Sequence, residues 1–100
     1  MKTWLSSIAM SDLRSIVTGV AKDRLILARR VTLEFHAACL ALGETPEAYA
    51  KLQHLLDGEV RRHPMGRFSI YYCLRETDVI VIRMLESAQH VAGRSTPNAP

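Results

Sequence analysis

Two neighbouring runs leave this chain few ways to fold: His63-Pro64-Met65-Gly66-Arg67-Phe68-Ser69-Ile70-Tyr71-Tyr72, and Asp78-Val79-Ile80-Val81-Ile82-Arg83-Met84-Leu85. Both are rich in β-branched and aromatic residues, which suit a pleated surface. Arg75-Glu76-Thr77-Asp78 between them is a short polar turn. Strands joined so tightly pair antiparallel. Such a sheet has an apolar face that the rest of the chain must cover.

The N-terminal half supplies the cover. Thr3 to Leu5 is short and β-prone. Ser6 stands where a helix N-cap belongs, its hydroxyl placed to accept from an orphan N–H of the first turn. Leu13, Ile16, Val17, Val20 and Ala21 follow at helical spacing and define one apolar face. Lys22-Asp23-Arg24 is a charged break. A longer helix is expected from Leu25 to Leu42. Leu27, Val31, Phe35, Ala38 and Leu42 form one stripe; Ile26, Leu33, Ala37 and Leu40 form a second. A helix apolar on two sides is buried on two sides, here by the sheet and by either the first helix or a partner. Gly43 and Pro46 read as stop signals. Pro46 to Leu56 could form a short third helix. Asp57-Gly58 is a turn, and Glu59 to His63 a strand broken by Pro64. A last helical turn fits Ser87 to Val91.

The expected fold is therefore α+β, in the order β-α-α-β-β-β. A helical hairpin packs on one face of a small, mostly antiparallel sheet. Residues 1–92 form a single domain, and Gly93 to Pro100 is expected to be a mobile polar tail. One hundred residues fit one domain. So short a chain buries only about two-thirds of its unfolded surface, which leaves room for a partner to add burial.

Several function classes are disfavoured. No run approaches the roughly 18 apolar residues of a membrane span. No signal-peptide pattern is present, so a cytoplasmic location is expected. Cys39 and Cys73 lack framework or C-x-x-C spacing and read as buried free thiols. His36, His54, His63 and His90 do not fall at metal-ligand spacing, and no cofactor or metal is expected. No Ser-His-Asp arrangement, phosphate loop or dinucleotide fingerprint appears. The net charge of +3 suits an acidic partner or nucleic acid without selecting either. Trp4 is expected in the core.

Strand alternation sharpens the expectation of a partner. Phe68, Ile70, Tyr72 and Leu74 share one face with Ile80, Ile82 and Met84, and should pack on the helices. Arg67, Ser69, Tyr71 and Cys73 would then share the other face with Val79, Val81, Arg83 and Leu85. Such a face is too apolar to be left to solvent, so either the short third helix or a partner should cover it. Arg61, Arg62, Arg67 and Arg75 would add a basic strip along the strands.

The phrasing "P-x-G-R-[aromatic]-x-I-x-Y" from Pro64, then "V-x-I-x-R-x-L" from Val79, resembles the strand pair that closes toxins of the RelE/ParE superfamily. Leu5-Ser6-Ser7-Ile8-Ala9-Met10-Ser11-Asp12-Leu13 is similar to the opening "L-S-P-x-A-x-x-D-L" of its ParE branch. Ala28-Arg29-Arg30 and Leu42-Gly43-Glu44-Thr45-Pro46-Glu47 resemble the second helix and its end. The likeness runs from about Leu5 to His90. It implies the toxin half of a type II toxin–antitoxin pair. In the ParE branch the toxin poisons DNA gyrase; in the RelE branch it is a ribosome-dependent mRNA endonuclease. Either is neutralised by a small, acidic, part-disordered and helical antitoxin. A third expectation is a non-toxic binding module of the same fold. Direct nucleic-acid binding is not expected in the ParE branch.

The resemblance and the face pattern together nominate Leu27, Val31, Arg67, Tyr71, Val79, Val81, Arg83 and Leu85 as partner-binding residues. No catalytic residue is expected unless the chain is a nuclease. In that case Arg67 and Arg83 match the phosphate-stabilising arginines of that branch, and His90 is the nearest acid or base. ParE-like chains commonly end the last strand in "H-G-x-R". This one has Glu86-Ser87-Ala88-Gln89 there, without the His and the Arg.

Overall fold

A computed structural model describes residues 1–49, 51 and 60–86. The elements are β1 (Lys2–Leu5), α1 (Ser7–Ala21), α2 (Leu25–Glu44), β2 (Val60–Met65), β3 (Phe68–Leu74) and β4 (Asp78–Glu86). They form one four-stranded sheet in the order β1-β4-β3-β2. β2, β3 and β4 pair antiparallel, and β1 joins the outer edge of β4 in parallel. That parallel pair is what the two helices cross over to make. The expected α+β layering is present.

Local chemistry explains most boundaries. The Ser6 hydroxyl accepts from Ala9 N–H at 3.0 Å and donates to the Ile82 carbonyl at 3.1 Å, so one side chain caps α1 and pins its start to β4. The Lys22-Asp23-Arg24 break is a tight turn in which Asp23 and Arg24 N–H both donate to the Val20 carbonyl. Gly66 has φ of 63° and occupies the first position of the two-residue loop between β2 and β3. A left-handed glycine there matches the twist of the strands it joins.

The core lies between the helices and one sheet face. Val31, Phe35, Ala38, Cys39 and Leu42 of α2 and Ala9 of α1 meet Phe68, Ile70, Tyr72, Val79, Val81 and Met84. Tyr72 is fully buried, and its hydroxyl donates to the Pro46 carbonyl at 2.9 Å. The Arg61 guanidinium donates to the Tyr49 carbonyl at 2.7 Å. These two contacts hold the segment after α2 against the sheet.

Several sequence expectations are corrected. Tyr71 pairs with Arg83 but Tyr72 pairs with Val81, so Ile82 is an extra residue on β4, a β-bulge. Directly opposed residues share a face. Val79 and Val81 therefore lie with Leu74 and Tyr72 on the helix-covered side, both fully buried, and not on the open side where strict alternation puts them. Ile80 moves to the open face opposite Cys73. Trp4 also sits on that face, in register with Ile80, and is 52% exposed. Pro64 does not break β2, which runs on to Met65 because it is the edge strand of this sheet. Gly43 is not a stop; it is the penultimate residue of α2 and packs against Met1 of the chain entering β1. Pro46 to Tyr49 is turn and bend, not helix. Lys51 forms an isolated antiparallel bridge with Arg61; the other residues of that proposed helix, the Asp57-Gly58 turn, the last helical turn and the tail fall outside the described residues.

Candidate functional site

An open groove of about 620 Å³ lies where α1, the α1–α2 turn, the start of α2 and the end of β4 converge. Its apolar wall comes from Ile16 and Val20 of α1, Leu27 of α2, Phe68 of β3, and Met84 and Leu85 of β4, while Ser15, Asp23 and Arg24 add polar surface. Helical spacing aims the first three inward; the bulge at Ile82 aims Met84 at the helices. Leu85, opposite Ser69 on the other sheet face, stands 37% exposed at the edge.

The rim is ionic. Arg67 Nη2 meets Glu86 Oε2 at 2.9 Å, and the Arg67 guanidinium lies 5.5 Å from the centre of the Phe68 ring. On the α1 side, Arg83 grips Asp12 with both ends of its fork, Nε to Oδ2 at 2.8 Å and Nη2 to Oδ1 at 3.0 Å. The same Oδ2 accepts from Met84 N–H at 3.0 Å. β1 ends at Leu5, so past Val81 no strand among the described residues lies beside the outer edge of β4. Asp12 supplies an acceptor in its place. Its bonds to Arg83 hold the Asp12 carboxyl below the usual carboxylate range and the Arg83 guanidinium above its own. An ionised, bidentate pair of this kind fixes direction as well as distance.

The structure gathers some nominated residues and separates others. Leu27, Arg67 and Leu85 line one groove, with Arg83 at its edge through Asp12. Tyr71 is half-buried on the opposite sheet face, beside Arg62 and Arg83. Val31, Val79 and Val81 are buried in the core. His90 lies outside the described residues. Arg61 is buried on the helix side while Arg62 donates to Ser69 Oγ at 3.0 Å, so the basic strip is not continuous. Asp12 and Glu86 were not singled out by sequence reasoning. Asp12 could have been found: it is the sole acid in α1, and an arginine inside an apolar strand calls for a carboxylate.

Other chemistry is sparse. Cys39 is a buried free thiol, pushed up to about 11 by burial; Cys73 is free and half-buried. Among the described residues no group of three or more His, Cys, Asp or Glu side chains could hold a metal ion. Among them, too, no helix is long and apolar enough to cross a membrane.

No curated protein matches the chain in sequence. A solved chain of the chromosomal ParDE TA system from P. aeruginosa is similar in fold, with a TM-score of 0.73 at 16% identity, over 86% of this chain and 95% of that one. The model of the family described as the ParE toxin of type II toxin-antitoxin system, parDE, matches residues 5–91. That span holds the capped first helix, the ion-paired β4 edge and the groove between them, and the chain belongs to the ParE toxin family of type II toxin–antitoxin systems.

Proposed function

We propose that this toxin acts by binding DNA gyrase and that an antitoxin silences it by laying an amphipathic segment in the groove between the helical hairpin and β4. The observation that carries the reading is the groove itself: apolar walls of Ile16, Val20, Leu27 and Leu85 beneath a rim of paired charges. An apolar trough with a polar margin fits a helix presenting a spaced row of apolar anchors. The similar ParDE structure is named for a toxin–antitoxin system, which agrees with an antitoxin partner here. Such a toxin is expected to work in the cytoplasm.

Two features favour a binding toxin over an RNA endonuclease. Arg67 and Arg83, the arginines a nuclease would aim at phosphate, are each engaged by a carboxylate of the same chain. Glu86 stands at the point where ParE-like chains carry a basic ending, and it contributes negative charge. A phosphate approaching either arginine would have to displace an anion first.

The test has two arms. Expression of the chain alone should arrest bacterial growth, and the purified chain should inhibit gyrase-driven supercoiling. Co-expression with the protein encoded beside it should restore growth. Normal growth with abundant soluble protein would remove the toxin reading. Growth arrest with unimpaired supercoiling and cleaved mRNA would replace it with the nuclease one.

A further inference from the structure

Among the described residues, none covers the outer face of α2, which has a pattern of its own. Ile26, Leu33 and Leu40 recur at seven-residue spacing and are 79%, 69% and 61% exposed. They lie directly opposite Ala28, Val31, Phe35 and Leu42, which face the sheet. Neither the sheet nor α1 covers them. Arg30, Ala37 and Glu44 lie on the same outer row, also seven residues apart and all exposed. Seven residues are nearly two helical turns, so such a row stays on one side of a helix.

We infer that this face is a self-association surface, on which two copies of the chain pair their α2 helices antiparallel about a two-fold axis at Ala37. The pattern is complementary to its own inverse. Arg30 and Glu44 stand equally far from Ala37, seven residues before and after it. Turning one helix end for end brings Arg30 of each copy beside Glu44 of the other. Leu33 then meets Leu40 of the partner on either side of the axis, and the small Ala37 side chains let the helices approach closely at the centre. A two-fold interface requires this property, because one patch must fit itself. A parallel pairing would instead set Arg30 against Arg30. Opposed helix dipoles also favour the antiparallel arrangement. An acidic partner helix would gain from Arg30 but would meet Glu44 as a like charge on the same row. The groove takes Leu27 from α2 but none of Ile26, Leu33, Ala37 and Leu40, so pairing here needs neither toxicity nor an occupied groove.

A single helix pair is at the small end of stable interfaces, so dissociation on the order of micromolar is expected. Sedimentation velocity on the purified full chain, over a concentration series, should show a monomer–dimer equilibrium. Ala37→Glu sets two carboxylates against each other at the axis and should leave a monomer with an unchanged circular dichroism spectrum. Arg30→Glu alone and Glu44→Arg alone should each weaken the dimer about threefold to tenfold, since two exposed ion pairs become repulsive. The double variant should restore it. A chain that stays monomeric at millimolar concentration overturns the inference. So does failure of the double variant to recover, which is also the result expected if the face serves an acidic antitoxin helix. Growth arrest and gyrase inhibition are measured separately, and their loss would leave the dimer untouched.

Discussion

At the residue scale, two glycines make opposite predictions. A Cβ on Gly43 would run into the backbone carbonyl of Met1, where neither side is a flexible side chain. Gly43→Ala should cost about 1–3 kcal/mol, as overpacking does elsewhere. Gly19, in α1, has open space around its Cβ direction. Gly19→Ala should gain roughly 0.5–1 kcal/mol from helix propensity alone. Urea unfolding of the two variants checks both signs. Asp12 is the other decisive residue. Asp12→Ala leaves Met84 N–H and Arg83 without their acceptor and should cost about 1–3 kcal/mol. The role of Asp12 was open to sequence reasoning but that of Gly43 was not. A lone acid on a helix is visible, whereas a glycine needed for close approach looks the same as one that ends a helix.

At the element scale, β2 and the segment after α2 form one unit, and its pH response has a definite sign. His63 packs on Tyr49 with ring centres 4.2 Å apart, and its Nδ1 is buried without a hydrogen-bond partner. Burial holds the His63 pKa below the ordinary histidine value. The unfolded chain therefore takes up this proton at a higher pH than the folded one. His63 is neutral in both states above about pH 6.5 and costs nothing there. As pH falls below that value, folding must exclude the proton and stability drops. A series of chemical melts from pH 7.5 to about 5 should show that drop, and His63→Gln should flatten it. If the slope is unchanged in the variant, His63 is not its source. The bulge at Ile82 also belongs to this scale. Period-two alternation was legible along all of β3, but in β4 it misplaces Val79 and Val81 by one face. No residue in that apolar run announces the extra position, which exists because two strands of different path must stay hydrogen-bonded.

At the scale of the whole molecule, apolar surface among the described residues includes the sheet's open face with Trp4, the groove at Leu27 and Leu85, and the outer stripe of α2. The groove assignment predicts that Leu27→Glu or Leu85→Glu weakens antitoxin affinity by about 2 kcal/mol or more, roughly thirtyfold, while the fold persists. Calorimetric titration of the two purified proteins measures it. Tyr71→Ala, outside the lining of the groove, should change that affinity little. An equal loss at all three positions would mean that the antitoxin's contact runs beyond the groove across the sheet's open face. Leu27, Arg67 and Leu85 were legible as a site because helical and strand spacing put each at a surface. Their convergence was not, since Leu27 is far from Leu85 along the chain and only the crossing of the hairpin over β4 brings them together.

Taken alone, the sequence determined the capped first helix, the doubly apolar second helix, the strand pair with its polar turn, and the family to which they belong. Each is written in local chemistry: a hydroxyl at the first turn, a row of side chains at constant pitch, alternation on a pleat. Only the tertiary structure decided which apolar faces are core and which remain open. That depends on one inserted residue in β4, on a carboxylate bonded to the outer edge of β4, and on which side of α2 the sheet happens to cover. These are relations between segments distant along the chain, and no local pattern carries them.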